Sequence, residues 1–430
     1  MPDASSRSLI GLPEFRALVV ARATNALAMS ALTTVVAFQV YDLTRDPLSL
    51  GWLGLVEAIP ALSLVLFGGH LADRRERRGI VLATSALVTV CAIALAAQAV
   101  LGATLLGILA VIFANGVGSG FERPALTALE AGVVPRDQAV RGVSVLGTVS
   151  QSGAIIGPAA GGIAIVLIGI PLTYVVIAAL LGASTLSIAT IAPKPVPAPV
   201  AGEPFVRSLL GGIRYVRRTP ALVGSMALDL FAVFFGGAIA LLPVFATDVL
   251  HVGSIGLGVL RTAPSIGALL AMVAASRRPP THHAGRILLA SVAGFGLSMI
   301  VFGASTLFAV SLVALFLSGV TDGVSMVIRN TILRVLSPER IRGRVASVNW
   351  VFIGASNELG AFESGVAARL FGTVPSVVGG GFLTLAIVGV TALVVPALRD
   401  LDLATAGPGD DGLDAVEDVA AAIDGLDTAR

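Results

Sequence analysis

The residues most able to do chemistry here are charged side chains set inside long apolar runs. Arg22, Glu57, Asp229, Arg261, Asp322 and Arg329 all fall in stretches otherwise rich in Leu, Val, Ala, Gly and Ile. A charge at bilayer depth is costly, so each is a functional candidate by default. A carboxylate in such a place can be switched between charged and neutral forms by what is brought beside it. Asp229 and Asp322 are the best candidates for a protonatable site. Asp322 and Arg329 lie two helical turns apart on one face, so a fixed ion pair is the competing reading. Glu358 and Glu363 stand in a further apolar run and are candidates for an interface or gate.

The elements that carry these residues are transmembrane helices. The chain has 430 residues, of which 56% are hydrophobic and 13% charged, and its mean hydropathy is +0.93. A soluble domain carries about 25% charged residues. Twelve apolar windows are long enough to span a bilayer: 17–41, 48–70, 80–101, 104–121, 142–168, 171–191, 221–246, 255–276, 287–304, 307–328, 345–371 and 375–398. They lack the alternation of a barrel strand, and an open sheet edge is not satisfied in lipid, so the spans are helical. Alternate loops hold the arginines: Arg74, Arg75, Arg77 and Arg78, then Arg136 and Arg141, Arg207 to Arg218, Arg277, Arg278 and Arg286, and Arg340, Arg342 and Arg344. The opposite loops hold little beyond Arg45 and Arg369. The positive-inside rule then predicts a multi-pass protein with both termini cytoplasmic.

Residues 192–220 form the one long internal loop. Its opening P-K-P-V-P-A-P reads as a stiff linker. Phe205, Val206, Leu209, Leu210, Ile213 and Val216 then recur at helical spacing opposite Arg207, Arg214 and Arg217. That pattern predicts an amphipathic helix, lying at the cytoplasmic interface or simply joining two halves. The tail after Arg399 is acidic and reads as solvated, with docking on the cytoplasmic arginines as the alternative. Residues 1–16 show no signal peptide. Cys91 is the single cysteine, which excludes an intramolecular disulfide or a cysteine metal cluster. Lys194 is the only lysine, so no phosphate-binding loop can be built and ATP is not the direct energy source. The four histidines show no metal-ligand spacing, and His282 and His283 read as solvated. No G-x-S-x-G appears, so the chain is not expected to be an enzyme.

The two halves of the chain repeat weakly. L-G-L-V-E-A-I-P at 53–60 matches L-G-V-L-R-T-A-P at 257–264, which pairs Glu57 with Arg261 at an offset of 204 residues. Pro135, Arg141 and Ser144 match Pro338, Arg344 and Ser347 at an offset of 203. Two offsets that agree within one residue predict a duplicated bundle. The expected organisation is a cytoplasmic N-terminus at 1–16, a six-helix bundle at 17–191, the inter-half loop at 192–220, a second six-helix bundle at 221–398 and the acidic tail at 399–430.

Gly69, Asp73, Arg74, Arg77 and Arg78 fall at the spacing G-x-x-x-D-R-x-x-R-R, with Glu76 where glycine is usual. This resembles the signature loop between the second and third helices of the major facilitator superfamily. G-P-A-A-G-G at 157–162, with Gly153 before it, is similar to the motif of the superfamily's antiporter branches: Gly153, Gly157, Pro158, Gly161 and Gly162. Small residues at this spacing also serve close helix packing alone. V-Y-D-L-T-R-D-P at 40–47 and R-G-R-V at 342–345 look like bacterial exporters of the enterobactin-exporter and multidrug-efflux type. The resemblance implies an all-α membrane fold of two pseudo-symmetric bundles related by an axis along the membrane normal. It implies a central cavity lined by the first, fourth, seventh and tenth spans. On those spans stand Arg22, Asn25, Asn115, Asp229, Asp322 and Arg329. It also implies that Asp73 caps a helix N-terminus as an inner gate, with Arg74, Arg77 and Arg78 near Glu122 or Glu130. Glu57 and Arg261 would border an outer gate, unless each has a local partner. Drug antiporters often carry an arginine in the middle of the fourth span, where this chain has Asn115, Gly116 and Gly118.

The expected function is secondary active export of an amphipathic small molecule, a siderophore or drug, by alternating access with proton antiport. A nutrient importer of the same fold and a non-transporting sensor or scaffold are the alternatives. The expected partners are the small-molecule substrate, protons as coupling ion and the lipid bilayer. No cofactor, metal or nucleic acid is expected, and the protein is expected to act as a monomer in a bacterial cytoplasmic membrane.

Overall fold

A computed structural model describes residues 9–193, 205–339 and 341–406. The described chain is helical: α1 (Pro13–Thr44), α2 (Pro47–Arg74), α3 (Arg77–Leu101), α4 (Leu105–Val133), α5 (Ala139–Ala189), α6 (Phe205–Arg218), α7 (Pro220–Phe235), the single turn α8 (Leu242–Val244), α9 (Gly253–Arg277), α10 (Ala284–Ala304), α11 (Phe308–Leu336), α12 (Arg342–Phe371), α13 (Thr373–Val394) and the short α14 (Pro396–Arg399). Among the described residues ten helices are long and apolar enough to cross a membrane. One of them, α5, holds two of the expected spans. It runs 51 residues and is broken at Gly169, whose φ of 78° and ψ of 163° no helix accepts, with Pro171 two residues on. α12 is 30 residues long but carries Arg342, Arg344, Glu358, Glu363 and Arg369, which lowers its apolarity. With these two the twelve expected crossings are accounted for.

Local chemistry fixes the helix ends. α1 stops where Arg45 takes a left-handed conformation (φ 51°), and Asp46 then caps α2 by accepting the Leu48 N–H at 3.1 Å. Pro47 occupies the first turn of α2, where no N–H is needed. Thr104 caps α4 through the Gly107 N–H at 3.2 Å. The seventh expected span, 221–246, is not continuous. α7 ends at Phe235, and after Gly236–Gly237 the chain goes on as a 3-10 turn (Ala238–Leu241), α8 and a π turn (Phe245–Val249). A glycine pair and Pro243 weaken the helix there. A side chain at Gly237 would press on Ser364 Oγ, 2.9 Å from its Cβ position, so the chain lies flush on α12.

The chain forms two compact units. The first is Met1–Val200 with Ile239–Ser265, and the second is Ala201–Ala238 with Ile266–Arg430. Packing thus assigns 239–265 to the first unit, whereas the sequence repeat counts it with the second half. Within the first unit α5 lies against α1. A Cβ at Gly157 would sit 2.6 Å from Ser30 Cβ and 2.8 Å from Leu27 O, so the two backbones approach as only glycine allows. The buried Tyr174 hydroxyl of α5 donates to Gln39 of α1 at 2.6 Å. Ser254 Oγ of α9 donates to Gly162 O at 3.0 Å, and Thr262 Oγ1 donates to Ile155 O at 2.9 Å.

Within the second unit a core of Leu222, Leu228, Leu288, Ile328, Ile332, Val345 and their neighbours is joined by α6. Tyr215 and Val216 are buried, and the Tyr215 hydroxyl donates to Leu336 O at 2.5 Å. The inner face of α6 is therefore seated on protein, while Arg214, Arg217 and Arg218 remain exposed. Phe205, Val206, Arg207, Leu209 and Leu210 lie outside the residues whose side chains are described, as does the linker at 194–204.

Candidate functional site

The most polar constellation inside the second unit joins α7 to α11. Asp229 stands nine residues after the Pro220 that starts α7 and is 8% exposed. Arg329 of α11 is ion-paired with it through Nη1. The other guanidinium nitrogen, Nη2, lies 3.5 Å from Asp322 Oδ1. The Arg329 and Asp229 side chains are 15% and 11% exposed, whereas Asp322 is 50% exposed. A guanidinium does not give up its proton, so this set carries one carboxylate more than it can neutralise. Asp322 opens on a pocket lined by Asp229, Ser291, Phe295, Thr321 and Ser325 with about 20 Å³ of free space. That is room for one water-sized molecule and far too little for an amphipathic substrate. The set can pass or hold a proton, and it can lock α7 to α11.

The first unit has its own intramembrane groups. Arg22 Nε of α1 lies 3.1 Å from Glu130 Oε1 of α4, and Asn25 follows one turn later, half-buried. Asn115 of α4 donates from Nδ2 to Glu57 Oε1 of α2 at 3.0 Å. Glu122 accepts from Ser85 Oγ of α3 at 3.3 Å. Arg261 donates to Thr34 Oγ1 of α1 at 3.3 Å. Glu57 and Arg261, matched by the repeat, are thus not brought together, and each has a local partner. Glu358 and Glu363 are half-buried on α12.

The loop motif is partly visible. Gly69, Asp73 and Arg74 lie outside the residues whose side chains are described. Arg77 donates to Ala128 O at 3.4 Å and Arg78 to Ala189 O at 2.7 Å. Both ties go to backbone carbonyls at the ends of α4 and α5, while Glu130 takes Arg22. In the glycine motif, Gly153, Gly157 and Gly161 pack on α1, and Gly162 packs on Ser254 and Gly258. Pro158 O faces Gly258, so the motif is a close-packed seam on two sides.

Two features have no signal in the sequence. Tyr41 hydrogen-bonds Asp248, and Arg45 adds 3.6 Å and 2.5 Å contacts to Asp248 and Asp42. Nothing in the spacing of Tyr41 and Asp248, 207 residues apart, could have joined them. Ser85 and Thr34 are ordinary helix residues whose roles appear only through packing. The start of the acidic tail is docked on the loop before α10, where Arg286 Nη2 lies 3.4 Å from Asp400 Oδ1, in line with the docked alternative for the tail. Asp402 accepts the His283 N–H at 3.3 Å and lies 3.4 Å from His282 Nδ1. The Leu403 N–H donates to Thr281 O at 2.9 Å. The Ala404 N–H, with those histidine contacts, holds the Asp402 carboxyl below its ordinary range. Hydrogen bonding from Arg399, with Arg286 beyond it, does the same for Asp400. Both histidine side chains are exposed, as expected, with His282 Nδ1 facing Asp402 and His283 meeting it through its backbone N–H alone. The tail from 407 onward lies outside the described residues.

The comparisons agree with this architecture. The enterobactin exporter EntS of Escherichia coli is 26% identical over 385 residues, covering 89% of this chain and 92% of the exporter. A POT family transporter solved with 5-aminolevulinic acid superposes with a TM-score of 0.72 at 13% identity, over 91% of this chain and 98% of that one. A bacterial homologue of the human lysosomal transporter Spinster, inward-facing and unoccupied, gives 0.70 at 14% identity, over 91% and 96%. At such identities these structures speak for the fold alone. The family model of the Major Facilitator Superfamily matches residues 18–361. The chain is a multi-pass membrane transporter and not an enzyme, and it belongs to the Major Facilitator Superfamily.

Proposed function

We propose that this protein exports an amphipathic small molecule, a siderophore or drug, by alternating access in exchange for protons. The observation that carries the coupling is the Asp229–Arg329–Asp322 set, one carboxylate in excess within helices that cross the membrane. Protonation of that carboxylate makes the set neutral, and its loss restores a charge of −1. A cycle that loads and unloads this position can drive a conformational exchange. Relatedness to an enterobactin exporter over most of both chains supports the outward direction and a substrate of that size and polarity. The apolar character of the spans supports a partly hydrophobic substrate. Both termini are assigned to the cytoplasm because the arginine-rich loops alternate with nearly uncharged ones. The functional halves are taken as 17–191 and 221–398, and the acting unit as a monomer.

The test is efflux of a panel of dyes, drugs and catecholate siderophores from expressing cells, with and without a protonophore. Asp229→Asn and Asp322→Asn are measured alongside. The expected result is efflux abolished by the protonophore and by Asp322→Asn, with substrate exchange in the absence of a gradient retained by Asp322→Asn. Net uptake would overturn the exporter reading. Efflux indifferent to the proton gradient would overturn the coupling.

A further inference from the structure

The first unit contains a buried polar atom that the sets described above leave unexplained. Asn115 is 3% exposed in the middle of α4. Its Nδ2 donates to Glu57 Oε1 at 3.0 Å, but its Oδ1 is buried and has no hydrogen-bond partner among the described residues. A buried acceptor left unmade is costly, and nearly all such groups in native proteins are satisfied. The group that could satisfy it is the Glu57 carboxyl, whose Oε1 already accepts from Nδ2. A neutral Glu57 carboxyl carries an O–H donor as well as a carbonyl acceptor. Set against a carboxamide, it closes a ring of two hydrogen bonds: Nδ2–H to the carboxyl oxygen, and the carboxyl O–H to Oδ1. An ionised Glu57 can make only the first of these. Turning the amide over changes nothing, because Oδ1 would then face the carboxyl oxygen, which also demands an O–H between them.

The surroundings hold the two groups in register. A Cβ at Gly116, next to Asn115, would collide with the Glu57 carbonyl oxygen and lie 2.8 Å from Pro60 Cγ, so α2 and α4 touch backbone to backbone here. Pro60 cannot donate to the preceding turn of α2. The pair therefore cannot drift apart without opening the α2–α4 seam. Of the helices packed on α2, α4 brings Arg123 within electrostatic range of Glu57. Among the described residues, no charged group of α1 or α3 is recorded beside it. Arg123 is exposed and is separated from Asn115 by a glycine-rich stretch of α4.

We propose that Glu57 and Asn115 form a proton-binding site in the first unit, in which the proton sits on the Glu57 carboxyl and is donated to Asn115 Oδ1. The site takes up one proton from water on becoming neutral and returns it on ionising. It is separate from the Asp229–Arg329–Asp322 set and does not rest on the coupling assigned to that set. A chain with both sites carries two places where a proton can enter a membrane helix, one in each unit.

Infrared difference spectroscopy of the purified full-length protein at neutral pH tests this, because a protonated carboxyl has a carbonyl band that a carboxylate and an amide lack. Wild type is compared with Glu57→Gln, Asn115→Leu and Asp322→Asn, each checked for folding by its thermal melt. The expected result is a carboxylic-acid band in wild type that shifts in deuterium oxide, is lost in Glu57→Gln and survives in Asp322→Asn. In Asn115→Leu the band should move, since its acceptor is gone. Identical spectra for wild type and Glu57→Gln would overturn the site. If Glu57→Gln does not fold, Asn115→Leu decides alone: an unmoved band overturns the proposal. The band with protonophore-indifferent efflux would end the proton-coupled reading and keep this site. No band with protonophore-sensitive efflux would end this site and keep that reading.

Discussion

Replacing Arg329 with Met should cost more stability than replacing either carboxylate it serves. Asp229 is 11% exposed, so removing its cation leaves a nearly buried, uncompensated charge. Such a loss costs about 3–5 kcal/mol. Asp322 lies 3.5 Å from the same guanidinium. At an effective dielectric of about 20 that separation corresponds to a gross attraction of about 5 kcal/mol. Because Asp322 is half-exposed, only on the order of 1 kcal/mol survives solvent screening. Arg329→Met leaves two carboxylates and no cation, and its total is about 4–6 kcal/mol on those figures. Asp229→Leu leaves Arg329 paired with Asp322, one charge against one, and should cost about 1–3 kcal/mol. The double variant should be more stable than Arg329→Met alone, since it removes the buried charge along with its partner. Trp52 lies in the first unit and Trp350 in the second. In a Trp52→Phe background, thermal fluorescence therefore reports the second unit. For a unit of about 200 residues each kcal/mol moves the midpoint by about 2–4 °C. Arg329→Met should fall by about 10 °C or more, and Asp229→Leu by clearly less. Equal falls in the two single variants, or a double variant no better than Arg329→Met, would refute the shared-guanidinium reasoning.

Three further outcomes follow from contacts elsewhere. Gly157→Ala places a Cβ 2.6 Å from Ser30 Cβ. It should destabilise the first unit by about 1–3 kcal/mol through overpacking, although alanine in a free helix is worth about 1 kcal/mol in its favour. Heating with a thiol-reactive fluorophore reads this, because Cys91 is the only thiol and is buried in the first unit; an unchanged or raised midpoint would count against the α1–α5 seam. Tyr215→Phe orphans the buried Leu336 carbonyl, whose bond is 2.5 Å long. The expected cost is about 1–3 kcal/mol, seen as a lower Trp350 melt, and no change would show that α6 does not rely on this tie. Asp402 has its carboxyl held below the ordinary range, so its contacts are present at neutral pH and are lost as pH falls through and below the ordinary value of about 3.9. Asp402→Asn should accordingly speed hydrogen exchange at the Leu403 amide at neutral pH, and wild-type protection in the variant would mean that the backbone bond to Thr281 suffices.

The number and place of the crossings were legible because lipid imposes them directly. Clustered arginines are too costly to carry through the hydrocarbon region, so Arg74 to Arg78, Arg214 to Arg218 and Arg342 to Arg344 marked the turns of the chain. The break at Gly169 was legible as well, since a glycine two residues before Pro171 stops a helix locally. The break at Gly236–Gly237 was not, because the apolar composition continues through it, and only the fit of Gly237 on α12 makes the interruption worthwhile. The candidate site was legible by residue type and not by partnership. Desolvation cost singles out Asp229, Asp322, Arg329 and Glu57 wherever they pack. Which of them meet depends on helices separated by many residues in the chain. Asn115 and Glu57 are 58 residues apart, and the repeat pointed Glu57 toward Arg261 instead.

The repeat still carries information once position is separated from residue type. Arg22 stands nine residues into α1 and Asp229 nine residues into α7, each counted from the proline that starts the helix. Each reaches the long helix three elements or more further along, Arg22 to Glu130 of α4 and Asp229 to Arg329 of α11. The two pairs are the same construction with the signs exchanged. An ion pair is indifferent to which helix supplies the cation, so a duplicated bundle can keep the tie while inverting both charges. The two ties are offset by 207 and 199 residues and not by the 203–204 of the repeat, so an alignment held to one offset joins neither pair. In both units the helix partner brings a second carboxylate within electrostatic range of the arginine, Glu122 beside Arg22 and Asp322 beside Arg329. The second carboxylate beside the arginine is thus a feature that both ties share, whichever helix supplies the cation.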